Sequence, residues 1–440
     1  MLYCNRAIGS LIFAMLTTTS AIAAQQPKDA SSFTQSQNEA VLEQLPFADR
    51  QDFEDAKRGF IGTIPDLVIE GKPGHPAIWD LAAYKFLDKE KAPDTVNPSL
   101  WRIAQLNMMN GLFKVTERVY QVRGFDMSNM TIIEGDTGLI LIDPLISQET
   151  AAKALELYLQ HRPKKPVVAV IYTHSHIDHY GGVKGVVKEE DVLAGKVKVI
   201  APEGFLKEAA SENVYAGTAM ARRALYQYGA FLPKGERGQV DAGLGKNGSL
   251  GSSTLIAPTI SIKHSGEKLS VDGVDMEFQM APGTEAPSEF LIWFPQFKML
   301  NTAEDVTHTL HNLYTLRGAQ VRDAMSWWKA INAAIYSYGV HADVMVAQHH
   351  WPTWGSDRIV EHMANQRDML KYIHDQTLNM ANKGETMVEI AEQLKLPDSI
   401  GKKWYNRGYY GSVSHNAKAV YQRYLGWYDS NPAHLYTAAN

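Results

Sequence analysis

Residues 173–182 read Thr-His-Ser-His-Ile-Asp-His-Tyr-Gly-Gly and directly follow an apolar run that predicts a buried strand. His174 and His176 lie two apart on extended chain, so both rings project from one face and can hold one metal ion. Asp178 and His179 follow at a turn that the glycine pair permits, and their side chains can diverge toward a second ion. The alternative, a chance cluster of surface histidines, is disfavoured by the spacing, the strand and the glycines together. The segment therefore predicts a two-metal site, with zinc favoured and manganese or iron as alternatives.

The composition is that of an ordinary globular protein. The chain has 440 residues, of which 45% are hydrophobic and 21% charged, which allows a large core and two domains. The formal net charge is −5 and no block of lysine or arginine is present. The sequence therefore predicts no nucleic-acid partner.

The N-terminus predicts a secretory signal peptide over residues 1–24, because Arg6 precedes an apolar stretch at 8–16 and small residues follow it. An uncleaved membrane anchor is the alternative, but the apolar core is shorter than the ~20 residues that span a bilayer. Cys4 is the only cysteine and lies inside this segment. The mature protein would then hold its metals by histidine and carboxylate. We expect a periplasmic or secreted protein without a stable membrane anchor.

The pattern along the chain predicts an α/β protein with a helical C-terminal part. Residues 25–44 are polar without an apolar period and are predicted to be a mobile N-terminus. Strand and helix patterns alternate between 115 and 201, which favours α/β layering. A glycine-rich stretch at 229–253 predicts a long loop of the kind that often forms a lid or binding wall. We assign a catalytic domain to 45–355 and a helical domain to 356–440.

Further metal ligands are expected where later strands end. Glu285, Glu304 and His349 each follow a predicted strand, so they are donors to one edge of the sheet. Each one alone is weak, because a glutamate after a strand is usually a solvated turn residue and His350 competes with His349. Their order along the chain, together with their places at strand ends on one edge of the sheet, is what supports them as ligands.

Two resemblances follow from these segments. Residues 173–182 are similar to the signature of the metallo-β-lactamase-fold hydrolases, and Asp143 stands where that superfamily has a strand-end aspartate. Four longer strings resemble the zinc-dependent alkyl sulfatases that hydrolyse detergents such as dodecyl sulfate: residues 281–287, 301–305, 311–318 and 348–352. The resemblance runs from about Leu45 to the C-terminus. It implies an αββα sandwich followed by an α-helical domain.

The resemblance also implies roles for individual residues. One zinc would be bound by His174, His176 and Glu285, the other by Asp178, His179 and His349, with Glu304 bridging both. His174, His176, Asp178, His179 and Glu304 are the implied catalytic residues. Asn312, Arg317 and Arg322 would hold the sulfate group, with Tyr314 assisting or only packing. Guanidinium forks match the oxygens of a tetrahedral anion, although the two arginines would otherwise read as surface residues in ordinary ion pairs.

The expected reaction is hydrolysis of alkyl sulfate esters to an alcohol and inorganic sulfate. The two zinc ions would share a water, lower its pKa and supply hydroxide at neutral pH. His308 and His311 are near enough in sequence to test as the general acid. Five side chains of an insert around residues 205–250 are candidates for an apolar groove, with core beneath a lid as the alternative: Phe205, Tyr215, Tyr226, Phe231 and Leu250.

The chain departs from these relatives in length. Alkyl sulfatases of this type usually continue through a complete helical dimerisation domain and a lipid-carrier-like domain, whereas this chain stops at Asn440. We expect an incomplete dimerisation region, with which a homodimer is still compatible. One alternative function is another hydrolysis on the same fold, of a β-lactam, lactone, thioester or phosphodiester, but those reactions do not require the group of Asn312, Arg317 and Arg322. The other alternative is an inactive exported zinc- or anion-binding relative, against which the complete set of ligands argues.

Overall fold

A computed structural model describes residues 27–436. The predicted signal peptide and Cys4 lie outside these residues. The strands are β1 (Phe60–Gly62), β2 (Val68–Ile69), β3 (Trp79–Asp80), β4 (Gly111–Thr116), β5 (Val119–Arg123), β6 (Met130–Glu134), β7 (Leu139–Ile142), β8 (Val167–Ile171), β9 (Lys198–Pro202), β10 (Ile260–Ile262), β11 (Lys268–Val271), β12 (Val274–Met280), β13 (Phe290–Phe294), β14 (Met299–Asn301), β15 (Val344–Val346) and β16 (Thr353–Trp354).

The strands form two large sheets and one small ribbon. The first sheet has the order β1-β4-β5-β6-β7-β8-β9-β10, in which β7, β8, β9 and β10 run parallel. The second sheet follows chain order from β11 to β16 and is antiparallel except between β14 and β15. Strands β2 and β3 pair with each other.

The α-helices are α1 (Ser32–Gln44), α2 (Gln51–Lys57), α3 (Pro98–Leu106), α4 (Gln148–His161), α5 (Glu189–Leu193), α6 (Phe205–Ala210), α7 (Gly217–Gln227), α8 (Ala324–Ser337), α9 (Ser356–Asn382), α10 (Met387–Gln393), α11 (Asp398–Gly401), α12 (Val413–Leu425) and α13 (Pro432–Leu435). A π-helical turn, Ser211–Tyr215, joins α6 to α7. Among the described residues, no helix is both long and apolar enough to cross a bilayer.

The first sheet buries both of its faces. Successive side chains of a strand point to opposite faces, and β7 consists of four buried apolar residues. Leu139 and Leu141 pack in a cluster with residues of α4. Ile140 and Ile142 pack in a different cluster with residues of the second sheet. The first sheet therefore lies between a helical layer and the second sheet.

The second sheet is sandwiched in the same way. Met299, Val344 and Val346 belong to the cluster between the two sheets. Leu300 and Met345 belong to the cluster that contains α8, α9, α10 and α12. The architecture is thus the αββα sandwich that the resemblance implied, and helices from the predicted C-terminal domain supply part of its outer layer.

The N-terminal segment contains a helix that the sequence pattern does not predict. Within residues 25–44, which are predicted to be mobile, α1 spans Ser32–Gln44. The side chain of Ser31 caps this helix by accepting a hydrogen bond from Thr34 N at 3.2 Å. The helix has no buried residue, so it carries no apolar stripe by which the sequence pattern could have predicted it.

Candidate metal centre

All seven predicted ligands come together at one edge of the sandwich. Strand β8 leads into the histidine segment, which ends in a 3₁₀ turn, Ile177–His179. The turn between β12 and β13 carries Glu285, while Glu304 follows β14 and His349 follows β15. The strands that precede these ligands end at the same edge of the sandwich, so the residues that follow them lie close together.

Four of the side chains form a first group. The donor atoms of His174, His176, Glu285 and Glu304 all lie within 4.8 Å of one another. His176 Nδ1 is 2.9 Å from Glu285 Oε2, and His174 Nε2 is 3.3 Å from Glu304 Oε2. The rings of His174 and His176 meet edge to face with centroids 4.9 Å apart. Two imidazoles and two carboxylates are a suitable donor set for one zinc ion.

A second group lies beside it and shares Glu304. The donor atoms of Asp178, His179, Glu304 and His349 also lie within 4.8 Å of one another. His179 Nε2 is 3.1 Å from Asp178 Oδ2, and His349 Nε2 is 3.3 Å from Glu304 Oε2. Glu304 is therefore the carboxylate that would bridge two ions if both groups held one.

The polar atoms at the centre of both groups fit divalent cations. Within residues 27–436, His174 Nε2, His179 Nε2, His349 Nε2 and Glu285 Oε2 are buried without a hydrogen-bond partner. A buried polar atom without a partner costs free energy, and one such cluster of nitrogens and an oxygen is exceptional in a folded protein. Metal ions would satisfy these atoms, so the residues present fit the metals that the sequence predicted.

Asp143 orients the centre from behind. Thr173 N and Thr173 Oγ1 donate to its carboxylate at 2.8 and 2.6 Å, and His179 Nδ1 lies 2.8 Å from Asp143 Oδ2. This contact leaves Nε2 of His179 to face the second group. Asp143 itself has a φ of 54°, and Ala303 and His350, which adjoin other ligands, have φ values of 51° and 65°. Strained backbone of this kind is kept where the surroundings enforce it, commonly at functional sites.

The glycine pair after the histidines is required by close packing. A Cβ at Gly181 would lie 2.1 Å from Ile146 O, and one at Gly182 would lie 2.0 Å from Pro144 O. Their φ angles are not in the left-handed region, so it is the lack of a side chain, rather than an unusual turn, that the fold needs here.

The charges of the centre call for cations. Burial alone would lower the pKa of His349, but Glu304 and Asp178 outweigh burial and raise it to about 10. Burial opposes ionisation of Glu304 as well, yet His349, His174 and His179 hold its pKa well below the usual range. For Glu285, Arg322 and His176 likewise overcome burial and lower the pKa. The carboxylates therefore remain ionised and attract positive charge, whether from protons or from metal ions.

The predicted anion-binding residues have different surroundings. Arg317 pairs with Glu212 through its NH1 group. Arg322 donates to Glu285 and to both oxygens of Asn312, so Asn312 lies behind Arg322 and binds it. Tyr314 accepts a hydrogen bond from Arg223 at 3.3 Å.

The two histidines considered as general acids are distinguished by their contacts. His311 Nε2 is 3.0 Å from Glu304 Oε1 and therefore touches the metal-ligand cluster. His308 Nε2 instead lies 3.0 Å from Trp351 O, and its ring packs on Trp351 with centroids 4.3 Å apart. Only His311 of the pair adjoins the candidate centre.

Two cavities open onto the centre. The first, about 550 Å³, and the second, about 480 Å³, are both lined by His176, Glu212, Glu285, Arg317 and Arg322. The first continues along apolar side chains of the insert: Tyr215, Ala216, Ala219 and Met220, opposite Pro287 and Val321.

The aromatic groove predicted from sequence is only partly present. Tyr215 lines the first cavity. Phe205 is core and stacks on Tyr172 with centroids 5.0 Å apart. Tyr226 and Phe231 are exposed and line neither cavity, and the same holds for Leu250. Small and flexible side chains of α7 take their place, and the sequence pattern did not single these out.

Three acidic residues of the site were not predicted from the sequence. Glu212 lies in the π-helical turn with Oε2 3.5 Å from His176 Nε2. Glu289 accepts hydrogen bonds from Glu304 N at 3.2 Å and Ala286 N at 2.9 Å. Asp305 accepts from Glu285 N at 3.4 Å, so the last two hold the loops that carry ligands. Burial and the neighbouring carboxylates raise the pKa of Glu289 and of Asp305 well above the usual range. A charged residue immediately before an apolar strand, as Glu289 is, was the only available signal.

Comparison with known proteins agrees with this geometry. Residues 123–349 match the metallo-beta-lactamase superfamily, so the chain belongs to that superfamily. Residues 386–440 match the family described as alkyl sulfatase dimerisation.

Within the superfamily the chain is similar to alkylsulfatases, which confirms the resemblance noted from the sequence. It is 57% identical to the alkyl/aryl-sulfatase of Saccharomyces cerevisiae over 93% of this chain and 63% of that protein. It is 56% identical to a linear primary-alkylsulfatase of Pseudomonas sp. over 94% of this chain and 61% of that protein. The solved structure of a stereoselective inverting sec-alkylsulfatase of Pseudomonas sp. superposes with a TM-score of 0.91 at 53% identity, covering 94% of this chain and 65% of the other. The chain thus spans less than two thirds of the length of these relatives.

Proposed function

We propose that this chain hydrolyses alkyl sulfate esters to an alcohol and inorganic sulfate. The observation that carries the proposal is the pair of donor groups that share Glu304 and face a cavity lined by Arg317 and Arg322. The names of the similar proteins support the same substrate class.

Two zinc ions per chain fit the donors. His174, His176, Glu285 and Glu304 would hold one ion, and Asp178, His179, Glu304 and His349 would hold the other. When bound, such a pair supplies a water whose pKa is lowered enough for it to act as a nucleophile at neutral pH.

The arginines form the wall that would donate hydrogen bonds to the sulfate group. Arg317 and Arg322 both line the two cavities, and a guanidinium binds a tetrahedral anion through parallel N–H donors. The role of Asn312 is to fix Arg322 rather than to contact the ester, because its oxygens accept from that guanidinium. Preorganised donors of this kind stabilise charge that develops as the ester bond breaks.

The reaction adds water across the ester, so R–O–SO₃⁻ and H₂O yield R–OH and HSO₄⁻, which loses its proton at neutral pH. If the S–O bond breaks, a proton must reach the alcohol oxygen, and if the C–O bond breaks, the attacking water must lose one. His311 Nε2 is the nitrogen best placed to hold it, since it adjoins Glu304.

The alkyl chain would occupy the apolar part of the first cavity, beside Tyr215 and Met220. Each methylene transferred from water into such a cavity contributes ~0.8 kcal/mol. This term favours longer chains until the cavity is filled.

The test is sulfate release from dodecyl sulfate by purified protein, before chelation, after chelation and after zinc is restored. We expect release that the chelator abolishes and zinc rescues. No release from protein that holds two zinc ions per chain would contradict the proposed reaction.

The match of residues 386–440 to the alkyl sulfatase dimerisation family supports the proposal of a homodimer. The signal-peptide pattern of residues 1–24 supports the proposal of export to the periplasm or medium. Light scattering of the purified protein tests the first of these. The N-terminal residue of protein recovered from the producing cells tests the second.

A further inference from the structure

Glu212 lies between the candidate metal centre and the candidate anion site. Its side chain accepts a hydrogen bond from Arg317 NH1, and its Oε2 is 3.5 Å from His176 Nε2. The side chain is only 14% exposed, so little water screens it. Glu212 thus contributes a fixed negative charge where a substrate anion would bind.

The pairing with Glu212 reduces the net positive charge that Arg317 presents to an anion. Gln227 Oε1 accepts a hydrogen bond from Arg317 N at 2.6 Å, which ties the arginine to α7, and Glu212 holds its guanidinium from the turn before α7. Both cavities are lined by Glu212 and Arg317 together. An anion in either cavity therefore meets a nearly neutral pair and not an isolated cation.

We propose that Glu212 is a charge-selecting residue that favours monoanionic sulfate esters over the dianionic sulfate product. This proposal rests on the proposed function. A fixed negative charge repels a dianion at a given position with twice the energy with which it repels a monoanion. Glu212 would therefore weaken binding of inorganic sulfate more than binding of the ester, which promotes product release.

The substitution Glu212→Gln removes the charge and keeps the shape. Even with the full screening of a water-like dielectric, loss of a charge about 6 Å away should tighten binding of a monoanion by at least about threefold and of a dianion by at least about tenfold. The probes are methanesulfonate, a monoanion that is not an ester, and inorganic sulfate. Both affinities are measured by titration calorimetry on zinc-loaded protein, so that the readout does not depend on turnover.

Two further variants serve as controls. Glu212→Asp keeps the charge and should restore the wild-type ratio of the two affinities. Glu189→Gln removes a carboxylate that lines neither cavity and pairs with Lys184 at 2.6 Å on the surface, and should change the ratio by less than about twofold.

The proposal is overturned if Glu212→Gln changes both affinities by the same factor or changes neither. Loss of zinc from Glu212→Gln with an unchanged ratio would also overturn it, since Glu212 would then act by supporting His176. Failure of the proposed function is distinguishable from failure of this inference. Protein that shows the expected ratio of affinities but releases no sulfate from any alkyl ester would support charge selection by Glu212 and contradict the proposed hydrolysis.

Discussion

The metal centre and the anion-binding wall are built in opposite ways. The ligands of the centre follow strands of a sandwich whose two sheets share one packed core, and His174, His179 and His349 are fully buried. The wall is built from the insert that carries α6 and α7 and from a loop that runs without helix or strand between β14 and α8. Rigid elements fix the metal donors closely, while the wall depends on side chains that pair with one another.

This contrast teaches where specificity can change. A donor that moves by an ångström fails to bind a metal, so the strand ends leave little room for variation. The ion pair of Arg317 can be exchanged without disturbing the sheets, because this arginine is held by Glu212 and Gln227 from the insert. Substitutions in the two regions should therefore separate metal content from substrate handling.

The largest effect is expected for Glu304→Gln, since this carboxylate belongs to both donor groups. Zinc content should fall from two ions to one or fewer per chain, and turnover of dodecyl sulfate should fall by at least about 10³-fold. Elemental analysis and sulfate release measure the two quantities. Glu156→Gln on the surface of α4 is the control and should retain both ions.

Arg317→Ala should separate the two regions. We expect turnover to fall by about 10²- to 10³-fold while zinc content stays at the wild-type level, because the arginine belongs to the wall only. Arg317→Lys, which keeps the charge but loses the fork, should lie between the two. Loss of zinc from Arg317→Ala would contradict the separation.

A smaller effect is expected for Asp143→Asn. The amide would present its NH₂ group or a single oxygen to Thr173 and His179, which all act as donors to the carboxylate. Zinc affinity should fall by about 10- to 100-fold, as for other residues that orient a ligand. Competition with a chelator of known affinity measures the zinc affinity. An unchanged affinity would show that Asp143 does not orient the metal ligands.

The smallest expected effect is a pH dependence confined to the metal-free protein. Glu304 and Asp178 raise the pKa of His349 to about 10 against burial, so folding favours its protonated form. That stabilisation is complete below the pKa of the unfolded state, near 6.5, and is lost as the pH rises toward 10. The melting temperature of the metal-free protein should therefore fall as the pH rises from about 6.5 toward 10. Zinc-loaded protein should not show this loss, because a bound ion replaces the proton.

The sequence predicted the site better than its surroundings, for physical reasons. The donors between 173 and 182 were recognisable from their spacing after a strand, whereas Glu285, Glu304 and His349 were weak candidates at strand ends until the resemblance implied them as ligands. Glu212 was missed because it lies in a π-helical turn of the insert, where no strand end marks it. The contact of Arg322 with Glu285 was missed as well, since a pairing across 37 positions leaves no local pattern.

The central claim is that two ions bind at this edge and share Glu304. Anomalous diffraction at the zinc edge from crystals of the zinc-loaded protein tests it most directly. We predict two peaks about 3.5–4 Å apart, one beside His174, His176 and Glu285 and the other beside Asp178, His179 and His349, both in contact with Glu304. A single peak, or two peaks of which one does not touch Glu304, would contradict the account.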